Sequence, residues 1–142
     1  MTEKLYNDAI IAEAKANHAH GRLEAPDRSV TCDNPLCGDR ITIDLKLAGE
    51  RIAALAQKTR GCLLTQAAAS VIGQRAVGAE PAEIERAATE LRRLLAGEAV
   101  APVWPELAMF APVKAVKSRH ECVLLPFEAL REALEGKLAP GG

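Results

Sequence analysis

No stretch of the 142-residue chain approaches the roughly 18 apolar residues that a membrane-spanning helix needs. The N-terminal MTEKLYNDAI has early acidic residues and no uninterrupted apolar region of the secretory kind, so a cytoplasmic protein is expected. Positive charge is not in excess either. Against 18 Lys and Arg stand 19 Asp and Glu, which excludes the basic field that draws a protein to nucleic acid phosphates. No internal repeat, low-complexity tract or linker divides the sequence, and its length suits one domain over residues 1–142. Nor does any CxxC pair mark a zinc ribbon: Cys32 and Cys37 have four residues between them, Cys62 follows after 24 more, and Cys122 after another 59.

What the chain does have is four cysteines. In a reducing compartment these are metal ligands, reactive thiols or small buried hydrophobes rather than two disulfides. The segment NPLCGD (34–39) sets Cys37 between the turn signals Asn-Pro and Gly, which presents the thiol on a tight loop. Asp39 adds a hard oxygen donor to the same space, although an Asp after Gly also serves simply to cap turn N–H groups. Cys62 falls at a strand-to-helix junction and Cys122 at the start of the last helix. Partial positive charge at helix N-termini favours the thiolate that metal binding and sulfur chemistry require.

Hydrophobic periodicity predicts the elements around these thiols. Residues 2–20 read as a helix with Leu5, Ala9, Ala12 and Ala16 on one face, Tyr6, Ile10 and Glu13 beside it, and Gly21 as its stop. A turn at Pro26-Asp27 and a short strand at 29–32 follow. Residues 40–47 alternate, with Ile41, Ile43, Leu45 and Leu47 to one side and Thr42, Asp44 and Lys46 to the other, as a half-buried strand does. Residues 52–59 pair back on it across Ala48-Gly49-Glu50, despite alanines that favour helix. Helices are expected over 62–76, from Pro81 to Gly97 with Ile84, Ala87, Ala88, Leu91, Leu94 and Leu95 inward, and from about 122 to Gly136. Pro126 argues against an earlier start for the last of these. Residues 98–117, with three prolines around Trp104, read as a loop with one short helical turn at 105–110.

Taken in order, NPLCGD with ITIDLKL, then KTRGCLLTQAAAS, then HECVLLPFEAL resemble the three cysteine motifs of the U-type iron–sulfur cluster assembly scaffolds, the group of IscU, SufU and the N-terminal domain of NifU. The resemblance spans roughly residues 3–135. It implies an α+β fold in which a small antiparallel sheet of about three strands packs against four to five helices, in agreement with the pattern above. Ligand cysteines carry over to Cys37, Cys62 and Cys122, and the ligand-site aspartate to Asp39. Three thiolates and one oxygen can hold a transient iron–sulfur cluster with a weaker corner, or zinc in its place. The implied partners are a cysteine desulfurase and apo iron–sulfur acceptor proteins, with either a monomer or a homodimer carrying the cluster.

Two departures from the IscU pattern matter. Glu121 stands directly before Cys122, where IscU-like members have histidine, and His120 lies one residue earlier. The long span between Cys62 and Cys122 looks like the insertion of SufU-like members, some of which are zinc-bound sulfurtransferase partners of a desulfurase, with Cys37 as persulfide acceptor, rather than non-enzymatic scaffolds. Cys32 is not required by the motifs. His18 and His20 read as solvated residues near a helix end, Lys58 and Arg60 either as a solvated strand face or as cations that favour thiolates, and Trp104 either as a core anchor or as a partner contact. Zinc deaminase and cysteine hydrolase chemistry are excluded, because the HEC and PLC tripeptides lack the required spacing and no Cys–His dyad is marked.

Overall fold

The computed structural model describes residues 7–35 and 38–135. The alternating run becomes β2 (Asp39–Ala48), paired antiparallel with β1 (Arg28–Asn34) on one side and β3 (Arg51–Arg60) on the other. Ala48 faces Arg51, so Ala48 ends β2 and the turn expected over Ala48-Gly49-Glu50 narrows to Gly49 and Glu50, and the register shifts between Lys46 and Leu47. Pairing overrides the helical preference of the β3 alanines because the hairpin satisfies their backbone while burying Ile52, Leu55 and Ala56.

On the inner face, Val30, Ile41, Ile43, Leu45 and Leu55 are buried. Helix α2 (Leu63–Arg75) packs against β3, and α4 (His120–Leu134) packs against β1, β2 and α2. With α1 (Asp8–Ala16), α3 (Pro81–Leu95) and 3-10 segments at Pro105–Ala115 and Lys117–Arg119, this is the α+β architecture expected. Helix α2 is buried on more than one side, and its run Ala67-Ala68-Ala69-Ser70 lets neighbours approach closely. At Gly73 a side chain would overlap the His18 carbonyl. The cost of glycine inside a helix, about 1 kcal/mol, is offset by that packing.

Five expectations are corrected. Helix α1 ends at Ala16, because Asn17 takes a left-handed conformation (φ 46°) and the chain turns to follow the β3 edge. Its inward face is Ile10 and Ala14, while Ala9, Ala12 and Ala16 are exposed; Leu5 and Tyr6 lie outside the described residues. Beyond the helix, His20 is exposed and His18 partly so, as expected, and their backbone is tied down: the His18 N–H donates to Ser70 Oγ (2.9 Å) and its carbonyl accepts from buried Gln57 Nε2 (3.0 Å), while His20 forms a β-bridge with Gln57. Asp44, expected to face outward with Thr42 and Lys46, is fully buried because the preceding segment folds over that end of the sheet. There Asp44 accepts from Arg22 Nε (2.6 Å), Ser29 Oγ (2.7 Å) and the Leu23 N–H (3.1 Å). Burial pushes the Asp44 carboxyl up, but these bonds and the Arg22 charge outweigh it and hold the group below the ordinary carboxylate range.

The remaining two concern the second half. The short helical turn expected at 105–110 is the start of a 3-10 helix that extends over residues 105–115, and Trp104, Leu107, Phe110 and Val113 are all buried. Their spacing of three matches three residues per turn. Helix α4 starts at His120, continuous with the preceding 3-10 turn, and runs through Pro126. One hydrogen bond is lost there, against the burial of Val123, Leu125, Phe127 and Leu130 that the longer helix secures. The stop expected at Gly136 lies outside the described residues.

Candidate functional site

Three chain segments meet at one end of the sheet. Gly38 (φ 74°) occupies a left-handed conformation that a side chain would strain, and its N–H closes the turn on the Asn34 carbonyl (2.8 Å). The turn delivers Asp39, opposite Asn34 as the first residue of β2, where it is only 2% exposed. From β3, Gly61 passes so close to Asp39 Oδ1 that any Cβ would overlap it. Cys62 then caps α2 in an extended conformation, and its N–H donates to Asp39 Oδ1 (3.2 Å). One turn into α2, buried Thr65 donates its hydroxyl to Asp39 Oδ2 (2.8 Å) and lies 3.6 Å from Cys62 Sγ. Fully buried Cys122 arrives from the first turn of α4.

The outcome is a cluster in which the ligand atoms of Asp39, Cys62 and Cys122 all lie within 4.8 Å of one another. Two soft thiols and a hard oxygen suit zinc, or iron held with sulfur. The N-termini of α2 and α4 both contribute partial positive charge to the site, which complements anionic ligands. Both Asp39 oxygens accept protein hydrogen bonds, so the carboxylate is oriented before any ion arrives. Cys37, the further expected ligand and persulfide acceptor, lies outside the described residues.

Other candidates separate from this cluster. Cys32, on β1, donates its thiol to Glu132 Oε2 on α4 (3.1 Å). Burial, then the Glu132 hydrogen bond and negative charge, with smaller contributions from Asp33 and Glu128, push this thiol up to about 12, so it stays protonated and a poor ligand. His120 Nε2 lies 3.0 Å from the Val113 carbonyl and is not part of the cluster. Exposed Arg60 borders a cleft of about 310 Å³ with Asp39, Gly38 and Arg40, whereas Lys58 lines a different cleft on the outer sheet face. Trp104 is a core anchor: it packs on Phe127 with ring centroids 6.0 Å apart, and its Nε1 donates to Glu83 Oε2 (2.8 Å). Sequence reasoning missed Thr65 and Gly61. The i, i+3 spacing of Cys62 and Thr65 at a helix start was the available signal for the first.

Known proteins resemble this chain in sequence and fold. A protein from Streptococcus pyogenes serotype M1 named iron–sulfur cluster assembly scaffold protein IscU is 28% identical over 134 residues, covering 92% of this chain and 83% of that protein. The crystal structure of a nitrogen-fixing NifU-like protein (N-terminal) from Brucella abortus superposes with a TM-score of 0.88 at 30% identity, covering 93% of each chain. A Fervidobacterium islandicum protein described as an iron–sulfur cluster assembly scaffold for the SUF system superposes with a TM-score of 0.85 at 26% identity, covering 92% of this chain and 96% of that one. The family model for the NifU-like N terminal domain matches residues 5–123, and the chain belongs to that family.

Proposed function

We propose that the protein is an iron–sulfur cluster assembly scaffold that receives sulfur from a cysteine desulfurase, gathers iron and sulfide at Cys37, Asp39, Cys62 and Cys122, and passes the cluster to apo-proteins. The observation that carries this reading is the convergence of Asp39, Cys62 and Cys122, with ligand atoms within 4.8 Å, from three separate segments of the chain. The names of the S. pyogenes and F. islandicum relatives support it. Sulfur delivery requires a thiolate here to attack the outer sulfur of the donor's persulfide. A new S–S bond forms at the attacking Sγ, the donor's S–S bond breaks, and the donor cysteine leaves as thiolate. Conversion of that sulfur to sulfide takes two further electrons from an external thiol or one-electron donor. The cluster is cargo, so its ligands must hold it without burying it beyond reach; Cys62 is only half-buried.

A second reading is a zinc-bound sulfur acceptor in which Cys37 takes the persulfide. It is favoured by the doubly hydrogen-bonded Asp39, an oxygen corner organised for a resident ion rather than for easy release. When bound, zinc would hold thiolates together and keep the site's shape; the chain's own part is to orient Asp39 through Thr65 and the Cys62 N–H. The deciding measurement is the iron, zinc and acid-labile sulfide content of protein incubated anaerobically with iron, cysteine and desulfurase, beside a Cys37→Ser control. Iron and sulfide in near-equal amounts, absent from the control, support the scaffold. Persistent zinc without labile sulfide, with faster desulfurase turnover, selects the acceptor; neither outcome means that both readings fail.

A further inference from the structure

Three cations, Arg40, Lys58 and Arg60, meet at one corner of a chain whose formal net charge is −1. On the outer sheet face, away from α2 and α4, Arg40 and Arg60 stand directly opposite each other on β2 and β3, and Thr42 faces Lys58 in the next pair on that face. Like charges opposed across strands repel. The Arg40 guanidinium is partly offset by Asp33 (Nε to Oδ1, 2.6 Å), with both side chains half exposed, while among the described residues no ion pair engages Lys58 or Arg60. These side chains, with exposed His20, line a cleft of about 270 Å³. Arg40 and Arg60 also line the cleft of about 310 Å³ that contains Asp39. The cations therefore extend from the outer sheet face to the edge of the candidate site, where Asp33 and Asp39 line the same cleft.

We infer that the Arg40–Lys58–Arg60 shelf is a docking surface for an extended acidic segment of the sulfur-donor protein, which it steers toward the Asp39–Cys62–Cys122 cluster. This rests on the sulfur-transfer reading above. The cations are exposed rather than enclosed, so a small anion would gain little from any one of them, whereas a polypeptide with several carboxylates engages them together. Its extended form suits a shelf made of two strands, and the shared arginines give it a direction.

The experiment uses the full chain and two probes: a fluorescein-labelled oligoglutamate peptide, followed by anisotropy at low ionic strength, and the cysteine desulfurase of the same organism, followed by complex formation and sulfur transfer. Lys58→Glu is the informative variant because Lys58 lines only the outer cleft, and Lys58→Arg is its conservative partner. Association of both probes with Lys58→Glu should weaken by roughly threefold to tenfold and with Lys58→Arg stay near wild type, while bound metal content is unchanged. Desulfurase association that is equal for wild type and Lys58→Glu overturns the proposal, as does displacement of oligoglutamate by inorganic phosphate at matched charge, which would make the shelf a small-anion site. Failure of the functional reading looks different: wild type would bind oligoglutamate yet take no sulfur from the desulfurase, and the assignment of the segment to a sulfur donor would fall with it.

Discussion

Replacing Thr65 with valine removes one hydroxyl from the site and almost no volume, which isolates the Asp39 hydrogen bond from packing. The bond is 2.8 Å long, its acceptor is a carboxylate 2% exposed, and its donor is fully buried, so water cannot readily take the donor's place. A hydrogen bond to a charged group is worth about 1.5–3 kcal/mol, and among the described residues the carboxylate would keep its bond from the Cys62 N–H alone. For a chain of this length that corresponds to a fall in Tm of roughly 4–10 °C for the metal-free protein. The same bond orients an expected ligand, and loss of such a partner typically costs about 10–100-fold in metal affinity. Thermal melts and zinc competition against a chromophoric chelator would be run on wild type, Thr65→Val and Thr65→Ser, with Asp39→Asn and the double variant completing a cycle. Thr65→Ser should retain most of both properties. Unchanged Tm and unchanged zinc affinity in Thr65→Val would refute the claim that Thr65 organises Asp39.

Two further outcomes follow from the titrating groups. Cys32 should alkylate far more slowly with iodoacetamide near pH 8 than an ordinary exposed thiol, and Glu132→Gln should accelerate it several-fold by removing the negative charge beside the sulfur; peptide mapping by mass spectrometry reads the site, and equal rates would contradict the Cys32–Glu132 contact. Asp44 has a lowered folded-state pKa, so its contribution to stability is fully present above the ordinary carboxylate range and is lost as pH falls through the folded value. Asp44→Asn should therefore lower Tm at neutral pH and flatten the decline of Tm on the acid side, and a parallel acid limb in the two proteins would count against the Arg22–Asp44 account.

How much of this was legible depended on whether a residue's role was set by its neighbours in sequence. The β2–β3 hairpin could be read because period-2 alternation and a Gly-containing turn are local signals, and α3 because its apolar stripe and its Pro81 and Gly97 punctuation lie within one segment. By contrast, the pattern carries α1 through Asn7, its extended N-cap, and on to residue 20, four residues past its end at Ala16. Asn17 leaves the helix to meet Gln57, forty positions away. Of the 3-10 segment only a short turn at 105–110 is legible, because the surrounding prolines argue for a loop, although Trp104, Leu107, Phe110 and Val113 repeat every third residue through to its end.

By itself, the sequence determined the α+β class, the β2–β3 pairing, and the two residue types, cysteine and aspartate, offered as candidates for the site, since turn, period and thiol context are properties of short segments. Only the tertiary structure decided which of those residues meet and what holds them. Asp39, Cys62 and Cys122 come from a turn, a strand–helix junction and a distant helix, and the distance between such segments is a result of core packing that no local pattern encodes. Likewise, Thr65 and Gly61 matter only because Asp39 is folded against them, and Cys32 is set apart only because α4 brings Glu132 to it. A side chain's type sets what chemistry it can do; its burial and its partners, which long-range packing alone supplies, set which of those chemistries remains open to it.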